Sequence, residues 1–178
     1  MNISDRRHLD AAQGWIGLGL HAEAENELWQ IAPAYRQHPE FLETRCQIFA
    51  HDKRWVECLQ TAKAILDRDP ESAMGHIQLA YALEHLEGTR VAYETLRPAA
   101  DKITDSITIF YNMACYACEL GRVDEARKWL AKTFEMSESD DCEWGLFYRN
   151  MAKEDLQLRP LWNEISGIGR SNLIDFLV

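Results

Sequence analysis

Two thiols three residues apart are the first feature in this chain with the spacing for chemistry. Cys115-Tyr116-Ala117-Cys118 matches a redox pair or one half of a zinc site. A zinc site needs two more ligands, and the sequence has no second Cys-x-x-Cys and no histidine at ligand spacing. A redox pair is activated at a helix N-terminus, where the dipole lowers the thiol pKa. Here the surrounding apolar pattern puts both cysteines in the middle of a helix. They read as small packing or groove residues, and no metal and no cofactor is expected. The histidines at 8, 21, 38, 51, 76 and 85 are scattered. Gly167-Ile168-Gly169 follows no strand and opens no clear helix, so it is not a phosphate loop. No Ser-His-Asp spacing or carboxylate pair stands apart from surface charge. The run from Glu135 to Glu143 has five acidic residues and no basic one. It reads as a solvated loop, with a docking site for a basic partner as the second reading.

Composition narrows the classes further. The chain has 178 residues, 47 % of them apolar and 27 % charged, which is globular rather than disordered. Its formal net charge of −10, with no basic stripe, disfavours nucleic acid as a partner. No apolar run approaches the roughly 18 residues of a membrane span. The opening Met-Asn-Ile-Ser-Asp-Arg-Arg lacks the apolar region of a signal peptide. Five cysteines in a chain of this length do not make a disulfide framework, so a cytoplasmic location is expected.

The elements that must position these residues come from an internal repeat. Displaced by 34 residues, the chain aligns with itself without insertion. One column holds Ala12, Cys46, Ala80 and Ala114, and a second holds Ala24, Cys58, Ala92 and Ala126. Bulkier columns run through Trp15, Phe49, Leu83 and Ala117, through Leu28, Ala62, Leu96 and Leu130, and through Ile31, Ile65, Ala99 and Thr133. Small residues recur where two helices cross closely, and larger ones recur around them. Each unit carries two segments of helical periodicity. Gly19, Gly88 and Gly121 fall at or near the turns between them, whereas His51-Asp52-Lys53-Arg54 turns without glycine. His8 and His76 share a column, which points to packing. No segment alternates as a strand does.

The unit from Phe110 to Met136 resembles the tetratricopeptide repeat. Phe110 takes the aromatic position, Met113-Ala114 the Leu-Gly pair, Gly121 the turn and Ala126 the small residue of the second helix. Asp69-Pro70 resembles the closing Asp-Pro of a repeat, with Asp able to cap the next helix and Pro suited to its first turn. The second unit departs from the pattern, with Arg45 and Lys53 where Leu and Gly are usual. The resemblance implies an all-α fold, a right-handed solenoid of antiparallel helical hairpins. Its units would be 5–38, 39–72, 73–106 and 107–140, with a degenerate capping unit at 141–166 and a linker and tail at 167–178.

In that family the first helices of the units line a concave groove that binds peptides or partner helices. Carried over by position, the groove would comprise Arg6, Leu9, Gln13 and Ile16; Glu40, Glu43, Gln47 and Ala50; Met74, Ile77, Tyr81 and Glu84; and Thr108, Tyr111, Asn112, Cys115 and Cys118. The family's Lys, Arg and Asn clamp for chaperone C-terminal carboxylates has only Arg6 and Asn112 to represent it, and glutamates stand in the second unit. The implied ligand is an apolar or amphipathic segment with some basic residues. The implied function is that of an adaptor or scaffold without catalysis. A secretion-type chaperone and a self-associating structural protein are the alternatives, and a thiol oxidoreductase using Cys115 and Cys118 is a further one.

Beyond residue 140 the repeat decays. Cys142–Met151 still reads as a first helix with Trp144, Phe147, Tyr148 and Met151 on one face, but Pro160 stands where the small alanine belongs. The segment 154–162 reads as a cap on the last hairpin. Leu173, Ile174, Phe176, Leu177 and Val178 make an unusually apolar tail, expected either to cover the truncated unit near Trp144, Phe147 and Trp162 or to exchange with a second copy in a homodimer. Deleting residues 171–178 separates the two: a cap gives a monomer that melts lower once truncated, and exchange gives a dimer that becomes a monomer, both read by light scattering and thermal melting.

Overall fold

The computed structural model describes residues 2–136 and 143–167, the side chains of 143–146 excepted. Residues 137–142 of the acidic run, the side chain of Trp144 and the tail lie outside the described residues. The chain divides into two compact units, Met1–Leu86 and Glu87–Val178. The first carries α1 (Ile3–Gly17), α2 (His21–Gln30), α3 (Pro39–His51), α4 (Trp55–Leu66) and α5 (Ala73–Glu87), whose last residue begins the second unit. The second carries α6 (Thr89–Lys102), α7 (Ile107–Glu119), α8 (Val123–Met136), α9 (Glu143–Glu154) and α10 (Trp162–Gly167). A 3-10 segment, Leu156–Leu161, separates α9 from α10. No strand occurs among the described residues.

The repeat columns are the core. Ala12, Cys46, Ala80 and Ala114 are each 0 % exposed, as are Ala24, Cys58, Ala92 and Ala126. Leu28, Ala62, Leu96, Leu130, Ile31, Ile65, Ala99 and Thr133 are buried with them. Consecutive helices joined by short turns pack side by side, α1 on α2, α3 on α4 and α7 on α8. A methyl or a thiol at the crossing lets the two backbones approach, and the larger columns close the space around it.

The turns share one chemistry. Leu20 N–H donates to Trp15 C=O at 2.9 Å, and Gly19 N–H to Ile16 C=O at 2.9 Å. The same pair recurs as Arg54 to Phe49 (2.8 Å) with Lys53 to Ala50 (3.1 Å), and as Arg122 to Ala117 (2.8 Å) with Gly121 to Cys118 (3.0 Å). These are the two bonds of a helix end closed by a left-handed residue. That residue has φ 74° at Gly19, 73° at Gly121 and 58° at Lys53. The second turn therefore keeps the geometry without glycine, at a steric cost to the lysine Cβ. The third turn differs. A single residue, Gly88, joins α5 to α6, with φ 100° and ψ 163°. That region of backbone space is open to glycine alone.

Two expectations about helix ends and caps are refined. Asp69 does not cap α5: its Oδ1 accepts the Glu71 N–H at 3.1 Å, in a local turn that includes Pro70. Ser72 Oγ caps instead, accepting the Gly75 N–H at 3.1 Å. After α9 the full second helix is replaced by the 3-10 segment around Pro160 and the six-residue α10. Leu158, Leu161 and Ile165 from this stretch are buried.

Two substitutions test this account. Lys53→Gly relieves the left-handed strain and should stabilise the protein by about 0.5–1 kcal/mol in urea unfolding. Ala126→Leu overpacks the α7–α8 crossing and should cost roughly 1–3 kcal/mol, while the exposed Ala22 on α2 tolerates the same change.

Candidate functional site

The first-helix positions of the two units meet different fates. In the first unit, α1 and α3 share a polar face. The Arg6 guanidinium bridges Asp10 on its own helix (2.9 Å) and Glu40 on α3 (2.5 Å). Gln13 Nε2 donates to Thr44 Oγ1 at 3.4 Å, and the Thr44 hydroxyl donates to the Glu40 backbone carbonyl at 2.7 Å. Gln47 and Glu43 are half-buried on α3. Burial pushes the Glu43 carboxyl above the usual carboxylate range, and the like charges of Glu40 and Asp69 push it the same way, against a weaker pull from His38.

On α5, Tyr81 is 38 % exposed and belongs to an aromatic group. Its ring meets Trp55 edge-on at 5.4 Å, and His85 lies 3.9 Å from Trp55 and 4.8 Å from Tyr81, centroid to centroid. Burial and the nearby Glu84 carboxylate raise the Tyr81 hydroxyl pKa. Met74 and Ile77, earlier on the same helix, are half-buried. Sequence reasoning found Tyr81 but missed Trp55 and His85. Trp55 opens α4, and the i, i+4 spacing of Tyr81 and His85 was the available signal.

Several residues expected in the groove are instead in the core. Leu9 is 0 % exposed, and Ile16 and Ala50 pack against the same cluster. In the second unit Tyr111, Cys115 and Cys118 are buried beneath the chain's own residues 148–162. The Tyr111 hydroxyl donates to Asp155 Oδ2 at 2.7 Å, and the Cys115 thiol donates to the same oxygen at 3.6 Å. Thr108 Oγ1 meets the Tyr148 hydroxyl at 2.6 Å, and the Tyr111 and Tyr148 rings lie 5.2 Å apart. Asp155 Oδ1 accepts the Gln157 N–H at 3.0 Å, and its backbone carbonyl accepts the Trp162 indole N–H at 3.0 Å. Arg127 fastens α10 through Glu164, with two bonds of 2.7 and 3.0 Å. Asp155, in segment 154–162, thus occupies Tyr111 and Cys115, two of the positions that the resemblance assigns to ligand. Of the α7 positions, Asn112 and Thr108 remain half-buried. Burial raises the Cys118 thiol pKa, and the Asp155 carboxylate adds to the effect. Burial likewise pushes the Tyr111 hydroxyl far up. This environment favours a neutral Cys118 thiol, whereas a redox pair needs an acidified one.

No family model and no characterised sequence matches the chain. Among solved structures it is similar to a thermophilic TPR protein of Thermus thermophilus. The TM-score is 0.67 and the identity 17 %, over 92 % of this chain and 100 % of that one. At this identity the likeness establishes the fold, which is the all-α, tetratricopeptide-like arrangement of helical hairpins. Among the described residues no helix is long and apolar enough to cross a membrane.

The raised Glu43 pKa gives a pH-dependent expectation. A carboxyl whose pKa is higher folded than unfolded penalises the fold while ionised, and the penalty fades as pH falls through the folded value to the ordinary one. Glu43→Gln should therefore raise the melting temperature at pH 7, and the gain should vanish at pH values below the ordinary carboxylate range.

Proposed function

We propose that the chain is a protein-interaction adaptor without catalysis of its own, which takes a segment of a partner protein on the first unit's first helices. The observation that carries this reading is the contrast between the two units. On α7, Tyr111, Cys115 and Cys118 are buried and Asp155 takes the Tyr111 hydroxyl and the Cys115 thiol, whereas α1, α3 and α5 keep more of their polar and aromatic side chains exposed or half-buried. Arg6, Gln13, Glu40, Glu43, Gln47, Met74, Ile77, Tyr81 and Glu84 form the proposed surface. The carboxylates around Glu43, and Glu84 beside the Trp55–Tyr81–His85 rings, favour a segment that brings Lys or Arg along with apolar side chains. A secretion-type chaperone is a narrower form of the same reading.

The test uses affinity capture and then a titration with the captured partner. Tyr81→Ala and Glu43→Lys should each weaken binding at least about tenfold while the circular dichroism stays helical. Added salt should weaken the wild-type complex. Undiminished affinity in both variants places the contact elsewhere on the chain and overturns the proposal.

A further inference from the structure

The second hairpin holds one thiol on each of its two helices, at the crossing where the other hairpins have alanine. Cys46 and Cys58 stand in the two small-residue columns that every unit uses for its helix crossing, and the other units have alanine at both places. Because the columns face each other across the crossing, the two sulfurs meet: Cys46 Sγ lies 3.4 Å from Cys58 Sγ. Cys46 Sγ also lies 3.4 Å from the Cys58 carbonyl oxygen, and Cys58 Sγ lies 3.7 Å from Gln78 Oε1. Both residues are 0 % exposed and both are free thiols.

We propose that Cys46 and Cys58 are an oxidisable pair that forms an intramolecular disulfide bridging α3 and α4. The sulfurs need to close by only about 1.4 Å to reach disulfide length. The oxidant is a small peroxide, able to reach the pair when the hairpin opens locally. The Cys58 thiolate attacks hydrogen peroxide, the O–O bond breaks, and hydroxide leaves a sulfenic acid on Cys58. The Cys46 thiolate then attacks that sulfur, the S–S bond forms and a second hydroxide leaves. The two hydroxides take up the two thiol protons, so two thiols and one peroxide give one disulfide and two waters. Local opening also admits water to both sulfurs, which lets each thiol ionise before it attacks. The bridge ties α3 to α4 across the one left-handed turn that lacks glycine, the turn at Lys53.

The sequence allows a direct readout. Trypsin cuts after Arg45, Lys53, Arg54 and Lys63, so Cys46 and Cys58 fall in separate peptides, 46–53 and 55–63. The folded full chain is treated with hydrogen peroxide, alkylated, digested without reductant and mapped by mass spectrometry. The linked pair 46–53/55–63 should rise at least tenfold over the untreated protein and disappear with dithiothreitol. The oxidised protein should also melt higher than the reduced one. Cys46→Ala and Cys58→Ala restore the residue of the other units, so both should fold, yield no linked peptide and show no rise in melting on oxidation. Recovery of the two peptides separately alkylated, or joined mainly to peptides of other cysteines, overturns the proposal. So does a link that forms only in urea-unfolded chains.

Discussion

Close approach of two helix backbones at each crossing is the constraint on which the rest depends. In the hairpins α1–α2, α3–α4 and α7–α8 it demands a side chain no larger than a methyl or a thiol at two positions, and Ala12 with Ala24, Cys46 with Cys58 and Ala114 with Ala126 meet that demand at 0 % exposure. Once the crossing is tight, the bulky residues one and two turns away can interdigitate. Leu28, Leu96 and Leu130 are buried for that reason. The three left-handed turns follow as well, because helices held this close leave room for only a short connection.

The first-helix faces are what this packing leaves over, and each unit disposes of them differently. In the second unit the leftover face is satisfied internally. A single carboxylate, Asp155, accepts from Tyr111 and Cys115 through one oxygen and from the Gln157 amide through the other. In the first unit, the Arg6–Glu40 pair and the Gln13–Thr44 bond link neighbouring helices at the surface and leave Glu43 with like charges beside it.

The hairpin architecture was legible because its determinants are local and periodic. The small columns, the glycines at 19 and 121 and the loss of pattern at Pro160 can all be read from spacing. The helix cap at Ser72 was not, because Asp69 and Ser72 are both capping residues and only the backbone geometry chooses between them. The closure of α7 was hidden for a different reason. It depends on Asp155 meeting Tyr111 across 44 positions, and nothing in either local pattern signals the pairing. The Cys46–Cys58 juxtaposition was visible in the columns, but the eye goes first to Cys115 and Cys118, whose spacing looks like a motif.

The turns differ in how much inherited change they can absorb. Lys53 demonstrates that the left-handed position of a hairpin accepts an ordinary side chain, so the codons for Gly19 and Gly121 are free to drift at modest cost. Gly88 has no such latitude, because its φ of 100° with ψ of 163° excludes every residue with a Cβ. The connection at which the two compact units meet along the chain is therefore the turn that lineages descending from this protein are least free to rewrite.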